Sequence, residues 1–401
     1  MTILCICTYF KGSEFLKAAK AEGNKVFLLT HKDLEHKPWP RESIDEFFYL
    51  ENNENTFETY KTIIQGTSFL MQKNKIDLVV ALDDFDVEKA ALVREHFRIP
   101  GMGQTTARYF RDKLAMRVQA EDFGIPVPDF SPLFTDIDIT EFLENTQGPW
   151  LVKPRSEASA AGIKKVYSKD EAWSHIHSLG EDRHQFLIEC FKPGDVYHID
   201  SLIIDSKIVF ERCSQYLSPP FDVAHGGGIF RSVTVEHGSI DDEALSLINH
   251  QVMNAFGMRF SAAHTEVIKC HADGNYYFLE TASRVGGAHL AEMVEASSGI
   301  NLWKEWAKIE TAVAEKKKYI LPDVEKSYSG IIISLSSQQW PDMSPFNDSG
   351  VVWVMNEEYH VGLIVKSAER KRILELLDKY AKMIVEMGYH ASAPAPDKPT
   401  H

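Results

Sequence analysis

No stretch of the chain approaches the ~20 consecutive apolar residues that a membrane-spanning helix needs. Positive charge is also short: 43 Lys and Arg stand against 58 Asp and Glu, a formal net charge of −15. Nucleic acid and anionic membrane surfaces are met by basic stripes, so both are excluded as partners. Cysteine is scarce and odd in number, at positions 5, 7, 190, 213 and 270. That excludes a fully paired disulfide framework and fits a reducing cytoplasm. Cys5 and Cys7 have no second pair to complete a metal site, and they read as buried residues of a first strand. The opening MTILCICTYF lacks the basic segment of a signal peptide. No G-x-G-x-x-G or Walker loop follows that strand, which excludes an obvious dinucleotide or P-loop site. His225-Gly226-Gly227-Gly228 has the look of a lipase oxyanion loop, but the chain has no G-x-S-x-G nucleophile elbow to go with it. No internal repeat is visible.

What is present is ordinary globular material, 44% hydrophobic and 25% charged, and 401 residues suffice for two or three lobes. The fold class read from the pattern is α/β with α+β lobes. Up to residue 104, apolar runs at Ile3–Cys7, Lys25–Leu29 and Ile76–Leu82 alternate with helical spacing, which predicts a parallel sheet. A helix is expected over Thr105–Phe123. Two prolines, Pro126 and Pro128, mark the next boundary. Residues 129–195 read as a small α+β lid and 196–310 as a second part of the same region. A C-terminal α+β lobe is expected over 311–390, with a disordered tail at 391–401.

The chemistry concentrates between Ser261 and His289. Two apolar runs flank Asp273-Gly274, a strong hairpin signal. Glu266 lies seven residues before Asp273 and Glu280 seven after, so a hairpin centred there opposes the two carboxylates across the strands. Opposed like charges repel unless a cation lies between them, and Mg²⁺, which takes one or two carboxylates plus phosphates, is the obvious candidate. Arg284 follows, an always-charged planar donor suited to a transferring phosphoryl group. Gly286 and Gly287 then let the backbone turn beside a ligand.

The ordered set Lys113, Lys153, Glu189, Glu266, Glu280 and Arg284 resembles the ATP-grasp superfamily. DDFDVEKAALVREHFRIPGM and DKLAMRVQAEDFGIPVPDF resemble, within it, the carboxylate–amine ligases that include bacterial L-amino-acid (dipeptide) ligases and dapdiamide-type ligases. The resemblance runs to about residue 310. It implies an ATP-grasp fold with a Rossmann-like N-terminal domain at 1–104 and an ATP-grasp region at 105–310. It implies ATP and Mg²⁺ (or Mn²⁺) as cofactors, with Glu266 and Glu280 as metal ligands. Ala282 stands where many relatives have Asn, so a second ion would rest on Glu280 and the phosphates alone. Lys113 and Lys153 are implied at the phosphates under a loop holding Ser156, Ser159 and Gly162. Glu189, Cys190, Phe191 and Leu279 are implied around the base, with Cys190 and Phe191 offering backbone groups. Asp195 takes the ribose or that contact is absent. His198 is either a nucleotide contact or a packed core histidine.

On the acceptor side, residues 218–229 read as a flap carrying Gly227 and Gly228, followed by Arg231 as a carboxylate clamp if it faces the pocket. Ala288 and His289 are expected to line a substrate pocket beside Arg284. Arg284 and Lys153 are the catalytic pair. The activity implied is ligation of a small carboxylate to an amine, both amino-acid-like, in a cytoplasmic enzyme, with a homodimer left open. The rivals are a biotin-carboxylase-like carboxylase and a silent nucleotide-binding regulatory module.

Overall fold

Alternate residues of the first strand face opposite ways, and both faces are covered. In the computed structural model, which describes residues 1–51, 56–157 and 161–392 (for Asp222, Ala224 and His225 the backbone only), β1 (Thr2–Ile6) lies inside a parallel sheet. Its order is β3–β2–β1–β4, with β2 at Lys25–His31, β3 at Glu46–Leu50 and β4 at Leu78–Ala81. Ile3 and Cys5 pack with Phe15, Leu16 and Trp306, whereas Leu4 and Ile6 pack with Phe27, Ala90 and Val93. Continuous apolar strands are what a sheet buried on both faces requires. β3 gives no such signal, since only Leu50 of Glu46–Leu50 is fully buried. All five cysteines are buried and free.

The residues read from sequence as a lid contain a four-stranded antiparallel sheet, ordered β5–β8–β6–β7. Its strands are β5 (Phe130–Pro132), β6 (Trp150–Pro154), β7 (Lys164–Val166) and β8 (Phe186–Cys190). Ile139, Leu143, Ala172 and Ile176 from two helices close its apolar face over Val152 and Ile188.

The largest sheet has eight strands: β9 (Gly194–Ile204), β10 (Lys207–Tyr216), β11 (Phe230–Thr234), β12 (Ser261–Cys270), β13 (Tyr276–Ala282), β14 (Tyr328–Leu335), β15 (Val351–Val354) and β16 (His360–Ser367). Its order is β13–β12–β9–β10–β11–β14–β16–β15. The strands after residue 322 therefore extend this sheet through β11 and β14 instead of building one of their own. The helix Arg370–Glu386 covers them with Ile373, Leu377 and Tyr380.

Two expected elements change. The helix foreseen over Thr105–Phe123 is two helices, Gln104–Arg108 and Lys113–Asp122. The break is made by Asp112, whose carboxylate accepts from the N–H groups of Leu114 and Ala115 and caps a fresh helix start. The foreseen flap at 218–229 contains a short helix, Pro220–Gly226. It ends at Gly227, whose φ of 67° is left-handed and whose Cβ would fall 2.4 Å from Ser392 Cβ. Ser159 and most of the C-terminal tail lie outside the described residues. Among the described residues, no helix is long and apolar enough to cross a membrane.

Candidate active site

Between the lid and the large sheet runs a cleft of about 760 Å³, with Asp84 of the N-terminal sheet in its wall. Glu266 and Glu280 face each other in it across β12 and β13. Lys269 pairs with Tyr276 and Val267 with Phe278, a register that would put Leu279 opposite Glu266. A bulge at that point inserts Leu279 as an extra residue and brings Glu280 into the facing position. Without it, Glu280 would point to the other side of the sheet, because a one-residue slip reverses every side chain. The carbonyl of Leu279 accepts from Arg117 Nη1, which holds the bulge in place.

Cations surround the two carboxylates. Lys113 opens its helix and sits 2.8 Å from Glu280 Oε2, while also donating to Glu157 O at 2.7 Å. Burial works to raise the Glu280 carboxyl, but Lys113 overrides it and holds the group below the usual range. Glu266 Oε1 accepts from the Tyr216 hydroxyl at 2.9 Å. Among the described residues, the second oxygen of each carboxylate has no hydrogen-bond partner. Two facing carboxylates, each with an oxygen directed to the cleft, suit Mg²⁺, an oxygen-seeking ion that keeps water and phosphate in its other positions.

Lys153, next to last in β6, pairs with Glu189, which Arg117 also binds at 2.9 and 3.1 Å. Glu189 is therefore the buried anion that anchors two cations, and any role toward a base runs through them. Burial pushes the Lys153 amine down to about 8, with Arg117 and Lys113 adding to the effect and Glu189 opposing it. Lys153 is thus cationic below about pH 8 and loses its charge above it. A nucleotide that needs the ammonium should bind less tightly as pH rises through that value in the free protein. Calorimetric titration with an ATP analogue from pH 7 to 9.5 should show affinity falling up to about tenfold per unit above 8. A flat profile would separate Lys153 from the phosphates.

Arg284 donates from Nε and Nη2 to Asp84 Oδ2 at 2.9 and 2.5 Å, and from Nη1 to Val285 O. Burial opposes its charge, yet Asp84 raises its pKa further. Asp84 stands just past β4, at the C-terminal end of a parallel strand where open α/β sheets place ligands. The DDFD run opens a stretch that carries the family resemblance without marking Asp84 as a site residue, and this positional rule is the signal that would have found it.

Behind the carboxylates, His264 Nδ1 contacts Asp200 Oδ1 at 2.8 Å, and its Nε2 lies 3.7 Å from Glu266 Oε1. Burial works against its charge, but Asp200 holds the imidazole up to about 9. Gly286 lies against this contact: a Cβ there would come within 2.8 Å of Asp200 Oδ1 and 2.9 Å of His264 Nδ1. The chain then passes Ala288 and His289 at φ 49° and 56°, strained values for residues with a Cβ, of the kind that collect at functional sites.

Several sequence assignments change. His198 is fully buried, with Nδ1 on Asp200 Oδ2 and Nε2 on Ser232 Oγ, both at 2.7 Å, so it is the packed histidine and not a nucleotide contact. Arg231 turns away to Asp378 at 2.7 Å, because β11 presents it toward the helix Arg370–Glu386. The N–H groups of Cys190 and Phe191 are spent on Asp129 O and Pro149 O, so a base donor at this turn must come from another residue. Phe191 still lines the cleft, under the Lys165 ammonium at 3.4 Å. Asp195 is at the mouth beside His271 at 3.3 Å. His289 packs on Trp353 between Glu292 and Glu357, while Ala288 lines the cleft. Among the described residues the lining includes Ala161 and Ile163 but not Ser156, Gly162, Gly227 or Gly228; Pro219, Pro220, Phe221 and Val223 represent the foreseen flap instead.

No family model matches the chain. Over 242 residues it is 28% identical to the L-arginine-specific L-amino acid ligase of Bacillus subtilis, a match covering 59% of this chain and 58% of that relative. The whole backbone follows that of an L-amino acid ligase from Bacillus licheniformis, with a TM-score of 0.73, 17% identity, and 97% and 98% of the two chains covered. It also follows the biotin carboxylase domain of a Hydrogenobacter thermophilus 2-oxoglutarate carboxylase, seen with MgADP and bicarbonate, with a TM-score of 0.68, 14% identity, and 97% and 90% covered. The fold is that of the ATP-grasp enzymes.

Proposed function

We propose that this chain joins a small carboxylic acid to an amine, both of amino-acid type, at the expense of ATP, releasing ADP and phosphate. The observation that supports it most is the facing pair Glu266 and Glu280 in a cleft that also holds Lys113, Lys153 and Arg284. The two carboxylates, Glu266 and Glu280, can hold Mg²⁺, with Mn²⁺ as a substitute. The ion, when bound, would offset phosphate charge. The chain's own groups do the rest. Lys113 and Lys153 bind the phosphates, and Arg284 steadies the charge that grows as a substrate carboxylate oxygen attacks the γ-phosphorus and ADP leaves. The amine nitrogen, in its unprotonated form, then attacks the acyl carbon, the C–O bond to phosphate breaks, and the departing phosphate takes up the proton that the nitrogen loses, so that no covalent enzyme intermediate is required. The lid sheet and the Pro220–Gly226 segment exclude water, which would otherwise hydrolyse the acyl phosphate.

The likeness to the amino acid ligases favours this reading over carboxylation and over a silent module, and trapping tests all three. Hydroxylamine with Mg-ATP and a panel of amino acids should yield a hydroxamate, with ADP accumulating in step. Release of AMP would exclude an acyl phosphate. ADP formed only with bicarbonate and biotin would establish a carboxylase, and no nucleotide turnover with any substrate would leave the silent module.

A further inference from the structure

Most charges in the cleft are matched. Lys113 has Glu280, Lys153 and Arg117 share Glu189, and Arg284 has Asp84. The neighbouring acids are spent as well, Asp83 on Lys11 and Asp86 on Thr8 and Lys89. Two groups remain. Asp84 is 7% exposed, and while its Oδ2 takes Arg284, its Oδ1 is buried without a hydrogen-bond partner. Arg111 is 9% exposed, lies 4.2 Å from the Phe85 ring centroid, and pairs with no carboxylate among the described residues. Both line the cleft, and Phe85, beside Asp84 in sequence, carries the Arg111 guanidinium on its ring. A buried acceptor without a donor is costly, and a guanidinium in the cleft wall with no carboxylate paired to it can take an anion, so a ligand that supplies an N–H donor to one and an anion to the other suits both.

One small molecule supplies both: an amino acid zwitterion. Resting on the ligase reading above, we propose that Asp84 and Arg111 form the subsite for the attacking amine substrate, a free amino acid with its nitrogen on Asp84 Oδ1 and its carboxylate on Arg111. Asp84 carries two roles through its two oxygens. Oδ2 orients Arg284, which faces the transferring phosphoryl group, and Oδ1 brings the nitrogen up beside it. A planar guanidinium fits the bidentate geometry of a carboxylate, and its ring-stacked position pre-orders the fork. The turn past β4 and the turn before the helix Lys113–Asp122 then read the amine substrate, while Glu266 and Glu280 of the large sheet face the phosphoryl chemistry.

Steady-state kinetics with a substrate amino acid and its α-carboxamide as alternative amines test the subsite. Arg111→Gln should raise KM for the amino acid about 10–100-fold, the usual cost of one charge-assisted contact, and raise KM for the carboxamide much less. Arg111→Lys should recover part of the loss. In Asp84→Asn, whose amide oxygen can still accept from Arg284, amide formation should fall about 10–100-fold further than hydroxamate formation from the same acid. Equal losses for both amines in Arg111→Gln, or a rise confined to KM for ATP, would overturn the assignment of Arg111. Parallel losses of amide and hydroxamate in Asp84→Asn would reduce Asp84 to a support for Arg284. A wild-type protein that makes no hydroxamate from any acid would remove the ligase reading itself, a result separate from either of these.

Discussion

Glu280→Gln is expected to abolish turnover, by about 10³-fold or more, while the protein stays folded. The size follows from how much of the site rests on this one charge. Glu280 supplies half of the facing carboxylate pair and is the partner of Lys113 at 2.8 Å. Gln has the same shape but no charge, so the variant loses an ion ligand and releases Lys113 together. A bound metal contributes several kcal/mol of charge stabilisation in a phosphoryl transfer, and each 1.36 kcal/mol is a factor of ten. The fold should not suffer in proportion. The Glu280 side chain is 36% exposed, and its replacement also relieves repulsion from Glu266. Thermal melting without ligand should therefore change little. The extra stability that Mg²⁺ and an ATP analogue give the wild type should disappear, since a ligand stabilises only what it binds. ADP release that is unchanged in Glu280→Gln, with acid and amine present, would end the metal assignment.

That carboxylate pair was legible in the sequence, though its geometry has a different cause from the expected one. A hairpin centred on Asp273 opposes Glu266 and Glu280 on paper. The strands are in fact paired one residue out of that register near the turn, and the bulge at Leu279 restores it. No propensity announces the bulge. It depends on Arg117, a residue on another helix whose guanidinium divides between Glu189 and the Leu279 carbonyl. The N-terminal parallel sheet was legible because its strands are apolar throughout, and β3, half exposed, was not. The candidates that packing withdraws share a physical origin. His198, Arg231 and the N–H groups of Cys190 and Phe191 are of the right types for ligand contact. Each is spent on a partner far off in sequence: Ser232, Asp378, Asp129 and Pro149. Local pattern shows which residues can bind a ligand, and only packing shows which are still available. Asp84 is the converse case, because it meets Arg284 across 200 residues.

Arg284→Met should lower kcat about 10²–10³-fold, with a smaller change in KM for ATP. This is the cost commonly seen when one preorganised charge contact to a transition state is removed. The variant should also be less stable. Arg284 and Asp84 are largely buried, at 14% and 10% side-chain exposure. Taking away one partner of such a pair leaves a stranded charge, at a cost of about 3–5 kcal/mol, most of which is the penalty on the partner left behind. Lost activity could then be blamed on lost structure, and a second substitution separates the two. In Arg284→Met combined with Asp84→Asn, no buried carboxylate is stranded, so the unfolding temperature should return most of the way to the wild-type value. Hydroxamate formation, which does not draw on the amine subsite at Asp84 Oδ1, should not return with it, because the cation that faces the phosphoryl group is still missing. Recovery of both together would make Arg284 a structural counter-ion to Asp84. A loss seen only in KM for ATP would make it a ground-state contact. Only lost kcat in a restored fold assigns Arg284 to the transition state.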